Sequence, residues 1–123
     1  TGYVRVATEI ILRSGKNRIV WKYNRFFTCD SVDLLYVLQC KNCPKFYVGK
    51  SKSLKARMSK YASDVRHPHN SKCRKCTDHL RICSNMEEPF FYMYPFVYAN
   101  HPDLRHFYET RYRIRWRPPL NSY

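Results

Sequence analysis

The sequence is short of acid, short of glycine and free of long apolar runs. Nine Asp and Glu face 23 Lys and Arg among 123 residues, which leaves a formal net charge of +14. With so few carboxylates most cations go unpaired, and a surface of that sign attracts a polyanion by releasing counterions from its phosphates. No stretch reaches the ~18 apolar residues of a membrane-spanning helix. No basic helix with a clean apolar face stands alone to lie on a membrane surface. No secretory leader is visible, and the chain opens on Thr1 instead of Met, as expected of a piece of a longer protein. Only three glycines occur, and the lack of any internal repeat or low-complexity tract excludes a repeat array.

What is present suits one folded domain. Hydrophobic residues make up 44% of the chain, enough for a core, and aromatics 16%, with 11 tyrosines among them. Nucleic acid is the partner that the charge favours. The six cysteines would allow disulfides, but their spacing argues for another use. Cys40 and Cys43 form one C-x-x-C pair, Cys73 and Cys76 a second, and His79 and Cys83 follow closely. With no leader and a nucleic-acid charge, a reducing compartment and zinc fit this pattern better. Cys29 reads as a core cysteine.

Residues 1–30 form an N-terminal extension in which Arg18 to Tyr23 alternates loosely, as a strand does. The main domain, residues 31–123, follows. Asp33 to Gln39 is β-branched, aromatic and apolar, which suits a central strand. Cys40 to Pro44 makes a tight turn, and Lys45 to Val48 returns as a second strand closed by Gly49. Residues 53–66 read as a helix capped by Ser51 or Ser53, with Leu54, Met58, Tyr61, Ala62 and Val65 at helical spacing. Arg57 shares a side with Leu54 and Tyr61. A polar loop from His67 to Lys72 leads to a short helix near 76–84 that puts His79 and Cys83 on one face. Phe90 to Tyr98 reads as a third strand, with Pro95 marking an edge or a bulge. Pro102, with Asn100 before it, announces a last helix carrying Leu104, Phe107, Tyr108, Arg111 and Tyr112 on one side, and Pro118 and Pro119 stop it. The expected fold is α+β: a small three-stranded antiparallel sheet flanked by helices, with a metal-stabilised hairpin.

Phosphodiester cleavage needs an activated water, a stabiliser for the charged transition state and help for the leaving oxygen. Tyr36 and Tyr47 lie on the paired strands, and Arg57 lies on the next helix. Glu109 is the only acid between Asp103 and the end, amid Arg105, Arg111, Arg113, Arg115 and Arg117. A lone carboxylate on a phosphate-seeking surface costs affinity unless it holds a divalent cation, and one carboxylate plus phosphate oxygens and waters binds Mg²⁺. The plain alternative is an i±4 pair with Arg105 or Arg113. Taken singly, Tyr36 and Tyr47 read as core aromatics and Arg57 as a surface cation.

Taken together they resemble a known set. Leu34-Leu35-Tyr36-Val37-Leu38, then Tyr47-Val48-Gly49, then Arg57, Glu109 and Pro119-Leu120-Asn121 resemble the GIY-YIG nuclease family over about residues 33–121. Cys40-x-x-Cys43 followed by Phe46 to Ser51 and Ser53 to Arg57 is similar to the endonuclease domain of Penelope-like retroelements. Leu34 replaces the first glycine of the family pattern, Leu35 and Val48 replace its isoleucines, and Tyr61 stands where many relatives have His.

The resemblance implies a catalytic set of Tyr36, Tyr47, Arg57, Tyr61, Glu109 and Asn121. One tyrosine would activate the water, Arg57 would stabilise the phosphorane, Glu109 would be the sole protein ligand of Mg²⁺ or Mn²⁺, and Asn121 would brace the site. Cleavage would nick DNA by single-metal hydrolysis, leaving 5′-phosphate and 3′-hydroxyl ends. A phenol of pKa ~10 is a poor base unless cations lower it, and a metal with Lys50, Lys52 and Arg57 would act in that direction. The resemblance also implies a nuclear protein, joined to further domains such as a reverse transcriptase, that supplies the primer for target-primed synthesis. A structure-specific repair nuclease of the same fold, or an inactive zinc-bearing nucleic-acid-binding module, are the alternatives.

For zinc, Cys40, Cys43, His79 and Cys83 form the favoured set, with a spacing close to that of Penelope-type endonucleases. The local set Cys73, Cys76, His79 and Cys83 is the rival and leaves Cys40 and Cys43 without a role. With all four positions filled, such a zinc is structural. Lys50, Lys52, Lys55, Lys60, Arg105, Arg111, Arg113 and Arg115 are the expected phosphate contacts. His67, His69, His101 and His106 read as solvent-facing or phosphate-adjacent.

Overall fold

Residues 3–5, 9–23, 25–67, 69 and 74–121 are described in a computed structural model of the chain. Its organising element is a nine-residue strand, β3 (Val32–Cys40), whose apolar run is continuous because both of its faces are covered. It lies between β4 (Phe46–Ser53) and β5 (Phe91–Tyr98) in a three-stranded antiparallel sheet of order β4-β3-β5. Leu34, Tyr36, Leu38 and Cys40 face α1 (Leu54–Arg66) and α2 (Arg74–Cys83). Leu35 and Val37 face the opposite layer, made of α3 (Pro102–Trp116) and a hairpin of β1 (Glu9–Ser14) and β2 (Asn17–Lys22).

The α+β architecture agrees with expectation, and several details sharpen it. Ser53 caps α1 by accepting from the Ala56 N–H at 3.2 Å, and Leu54, Met58, Tyr61, Ala62 and Val65 are the buried stripe. β5 is an edge strand of the sheet, and its register slips where Pro95 meets Tyr36 and Val97 meets Leu35, so Pro95 marks both an edge and a bulge. Strand β4 runs past Gly49 to Ser53, because Gly49 is a paired strand residue opposite Tyr36 and not a turn. The loose alternation near residue 20 is β2, and its partner β1 carries Ile10 and Leu12 into the core. Gly15 supplies the positive φ, +60°, of the tight turn between them.

Three expectations are corrected. The buried side of α3 is Arg105, Tyr108, Tyr112 and Trp116, while Leu104 and Phe107 are exposed. Trp21, Phe96, Tyr112 and Trp116 pack ring against ring at 4.6–6.0 Å between centroids, and that cluster sets the helix rotation. The cap of α3 is the His101 ring, which accepts from the Asp103 N–H, and not Asn100. Cys29 lies half-buried in a turn and belongs to neither core cluster.

Arg105 fixes the helix start to the sheet. Its guanidinium donates to Asp33 Oδ1 and to the Ala99 carbonyl, each at 2.9 Å, and only 5% of its side chain is exposed. A buried cation held this way is a structural tie and cannot reach a phosphate, so it leaves the set of expected DNA contacts. Arg105→Ala is expected to destabilise the domain by about 2–3 kcal/mol, because Asp33 loses a charge-assisted partner. Urea unfolding checks this, and a midpoint unchanged from wild type contradicts it. Among the described residues no helix is long and apolar enough to cross a membrane.

Candidate active site and metal centre

Three phenols meet on the α1 face of the sheet. The ring centroids of Tyr36, Tyr47 and Tyr61 are 6.0–6.4 Å apart, and the Tyr36 hydroxyl donates to the Tyr61 hydroxyl at 3.1 Å. Gly49 makes the space. A β-carbon there would collide with the Tyr36 hydroxyl and stand 2.5 Å from Tyr36 Cζ and 2.8 Å from Tyr47 Cε1. Tyr36 and Tyr61 are buried, and Tyr47 is half-buried. Arg57, half-buried on α1, is near enough for its charge to act on Tyr36.

The electrostatics set burial against the nearby cations. Burial pushes the Tyr36 phenol well above its ordinary 10.0, and the neighbouring Tyr47 adds to that. The Tyr61 hydrogen bond and the Arg57 guanidinium pull the other way, but less. Tyr61 is raised as well, again chiefly by burial. Desolvation therefore outweighs the protein's own cations, and both deep phenols stay protonated.

The edge of β4 is braced by the chain's end. The Asn121 carboxamide pairs with Val48 in both senses, Oδ1 accepting from the N–H at 2.9 Å and Nδ2 donating to the carbonyl at 3.0 Å. The Leu120 N–H adds a bond to the Phe46 carbonyl at 3.0 Å. Lys75, at the start of α2, donates to the Asn121 carbonyl at 3.1 Å. Neither Lys75 nor the spatial role of Gly49 stood out in the sequence, since both depend on contacts between distant segments.

Glu109 sits in the other layer, on α3. Its side chain is 12% exposed, and its carboxylate is 3.9 Å from Arg113 at i+4, a loose form of the pairing that its sequence allows. Lys50, next to Gly49 on β4, donates to His106 Nδ1 at 2.8 Å. His106 lies one helical turn before Glu109 and so shares its side of α3. The tyrosines with Arg57 and the carboxylate thus flank β4 from opposite faces. Lys52, Lys55 and Lys60 are exposed along α1 and before it, with Lys60 3.4 Å from Asp64, and Arg111 and Arg115 are exposed on α3.

The metal-type cluster forms from the favoured set. One ligating atom from each of Cys40, Cys43, His79 and Cys83 lies within 4.8 Å of all the others, and Cys43 Sγ is 3.1 Å from His79 Nε2. Tetrahedral zinc, at ~2.3 Å from sulfur and ~2.0 Å from nitrogen, needs ligand–ligand edges of roughly 3.4–3.8 Å, which this group reaches with small shifts. The chemistry fits too. Burial, helped by the Cys83 and Cys43 thiols, pushes the Cys40 thiol up to about 12, with the Asn42 N–H opposing. A dication among the sulfurs reverses that balance. Burial and then Lys45 lower His79, which keeps its imidazole in the neutral, ligating form. Asn42 also donates to the Cys83 carbonyl at 2.7 Å, tying the hairpin tip to α2. Cys76 is buried in the core beside these helices and is not in the cluster, and Cys73 lies outside the described residues.

A small antiparallel sheet with phenols and a guanidinium on one face, and a basic margin around it, is the layout of a nuclease-type domain. Residues 33–97, more than half of the chain, match the family profile of the GIY-YIG catalytic domain, and the chain belongs to that family. No curated protein and no solved structure matches it.

Proposed function

We propose that this domain nicks DNA by metal-dependent hydrolysis at the β4 margin. The observation that carries the reading is the packing of Tyr36, Tyr47 and Tyr61 around Gly49, with the Arg57 charge acting on Tyr36. Tyr47, the least buried ring, faces the substrate and, once its own proton has passed to solvent, takes the proton of the attacking water as a phenolate. Tyr36 and Tyr61 lie deeper, stay neutral and hold it in place. Arg57 stabilises the charge that develops on phosphorus. Glu109 would hold Mg²⁺ or Mn²⁺. Such an ion would supply Lewis acidity at the scissile phosphate. Asn121 keeps β4 straight beside the reaction, and zinc at Cys40, Cys43, His79 and Cys83 is structural.

From the sequence resemblance around the C-x-x-C pair we also infer a place among Penelope-like retroelement endonucleases. In that setting the domain is nuclear, is joined to a reverse transcriptase and makes the primer for target-primed synthesis. The Glu109–Arg113 ion pair favours a second reading, an inactive zinc-bearing nucleic-acid module.

One assay separates the two. Supercoiled plasmid with Mg²⁺ or Mn²⁺ is expected to be nicked by the wild type, and Arg57→Ala and Glu109→Ala are each expected to be slower by about 10²-fold or more. Equal conversion by all three removes the site assignment, and no conversion by any of them favours the second reading.

A further inference from the structure

The β1–β2 hairpin, the segment after it, β5 and α3 line an open cavity of about 430 Å³ away from the tyrosine group. That is ample for a small flat ligand, within the ~300–1,000 Å³ range of ligand sites. Its walls are the rings of Trp21, Phe27, Tyr98, Tyr108 and Tyr112, and among the described residues Arg25 is the one charged side chain lining it. The Arg25 guanidinium lies 4.0 Å over the Tyr98 ring. Phe26, beside it in sequence, is 83% exposed. The buried Trp21 indole N–H has no hydrogen-bond partner among the described residues.

The wall chemistry discriminates between ligands. A quaternary ammonium also favours aromatic walls, but Arg25 already stands over Tyr98 and, among the described residues, no carboxylate lines the cavity. Arg111 and Arg115 lie close enough to act on the Tyr112 hydroxyl, so the surroundings are cationic. A flat neutral ring on an anionic tether meets every one of these features. Aromatic faces and a guanidinium plane stack it, and the arginines take the phosphates of its strand.

We propose that this cavity receives one unpaired nucleobase of a single DNA strand, stacked on the outer face of the Arg25 guanidinium, whose other face Tyr98 backs. This gives the N-terminal hairpin a role in holding a strand, and it shares with the proposed function only the nucleic-acid partner. Base stacking on aromatics is sequence-tolerant, so the site favours unpaired over paired bases and not one base over another.

The test is fluorescence anisotropy without divalent metal, comparing (dT)₈ with an abasic octamer that carries the same phosphates. The wild type is expected to bind (dT)₈ about tenfold more tightly, since a stacked base is worth ~1–3 kcal/mol. Tyr98→Ala is expected to bring the two affinities together, Tyr98→Phe to preserve the difference, and both to bind blunt duplex as the wild type does. Trp21 and Trp116 are the chain's two tryptophans, and (dT)₈ is expected to quench their emission where the abasic octamer does not. Equal wild-type affinity for both octamers overturns the proposal, as does a base preference that survives in Tyr98→Ala. A failed nicking assay with the base preference intact would count against the proposed function alone.

Discussion

Removal of zinc by a chelator, or the Cys40→Ser substitution, is expected to lower the melting temperature by about 10–20 °C. The cluster joins the tip of the β3–β4 hairpin to the end of α2, segments about forty residues apart, as the Asn42–Cys83 bond across |i−j| = 41 illustrates. Zinc binding to small peptides is worth ~10–16 kcal/mol, and there it supplies the whole of folding. Here Leu80 and Cys76 of α2 are also packed in the main core, so only part of that energy, roughly 3–5 kcal/mol, should register as stability. At this chain length each kcal/mol moves the midpoint by ~3–5 °C. The loss should also reach the candidate active site, because Lys75 at the other end of α2 holds the Asn121 brace. Cys73→Ser is expected to keep one zinc per chain and the wild-type midpoint. If Cys40→Ser keeps both while Cys73→Ser loses them, the local set built on Cys73 and Cys76 holds the metal instead.

The ligand set was legible because spacing and chemistry agree for it. A C-x-x-C at a predicted hairpin tip and a His and Cys one helical turn apart need only one tertiary contact to meet, and they meet in the fold. The central strand and the first helix were equally legible, from the continuous apolar run Leu34 to Leu38 and from a five-residue stripe at helical spacing. The rotation of α3 was not. Leu104 and Phe107 are as apolar as Tyr108 and Tyr112, and the choice between those faces is made by Trp21 and Phe96 from other layers. Arg105 shows the same limit for charge. Among several helix arginines, the one that faces Asp33 becomes a core tie, and its partner is 72 residues away. The phenol acidities show the limit again. Nearby cations can be read from a sequence, whereas the burial that outweighs them at Tyr36 arises only from packing.

Gly49→Ala is expected to slow nicking by about 10²-fold or more while leaving the domain folded. Gly49 is not among the residues with positive φ, so backbone freedom is not what the position requires. It requires room, since an added β-carbon would stand 2.5 Å from Tyr36 Cζ and 2.8 Å from Tyr47 Cε1. Tyr36 cannot retreat, because it is fully buried and its hydroxyl is held by Tyr61. The displacement therefore falls on Tyr47 and on strand β4, which Asn121 clamps at Val48. Overpacking of this kind costs ~1–3 kcal/mol, a shift of several degrees in midpoint that leaves the native state populated at 25 °C. A displacement of ~1 Å at reacting groups costs ~10²-fold in rate, so activity should fall much further than stability. Adding Tyr36→Phe removes the hydroxyl that the new methyl strikes but leaves Cζ 2.5 Å away, so the double variant should regain only part of the lost stability. Melting curves and plasmid nicking on the same preparations read both effects. Wild-type nicking by Gly49→Ala would mean that the tyrosine group stands apart from the cleaved bond.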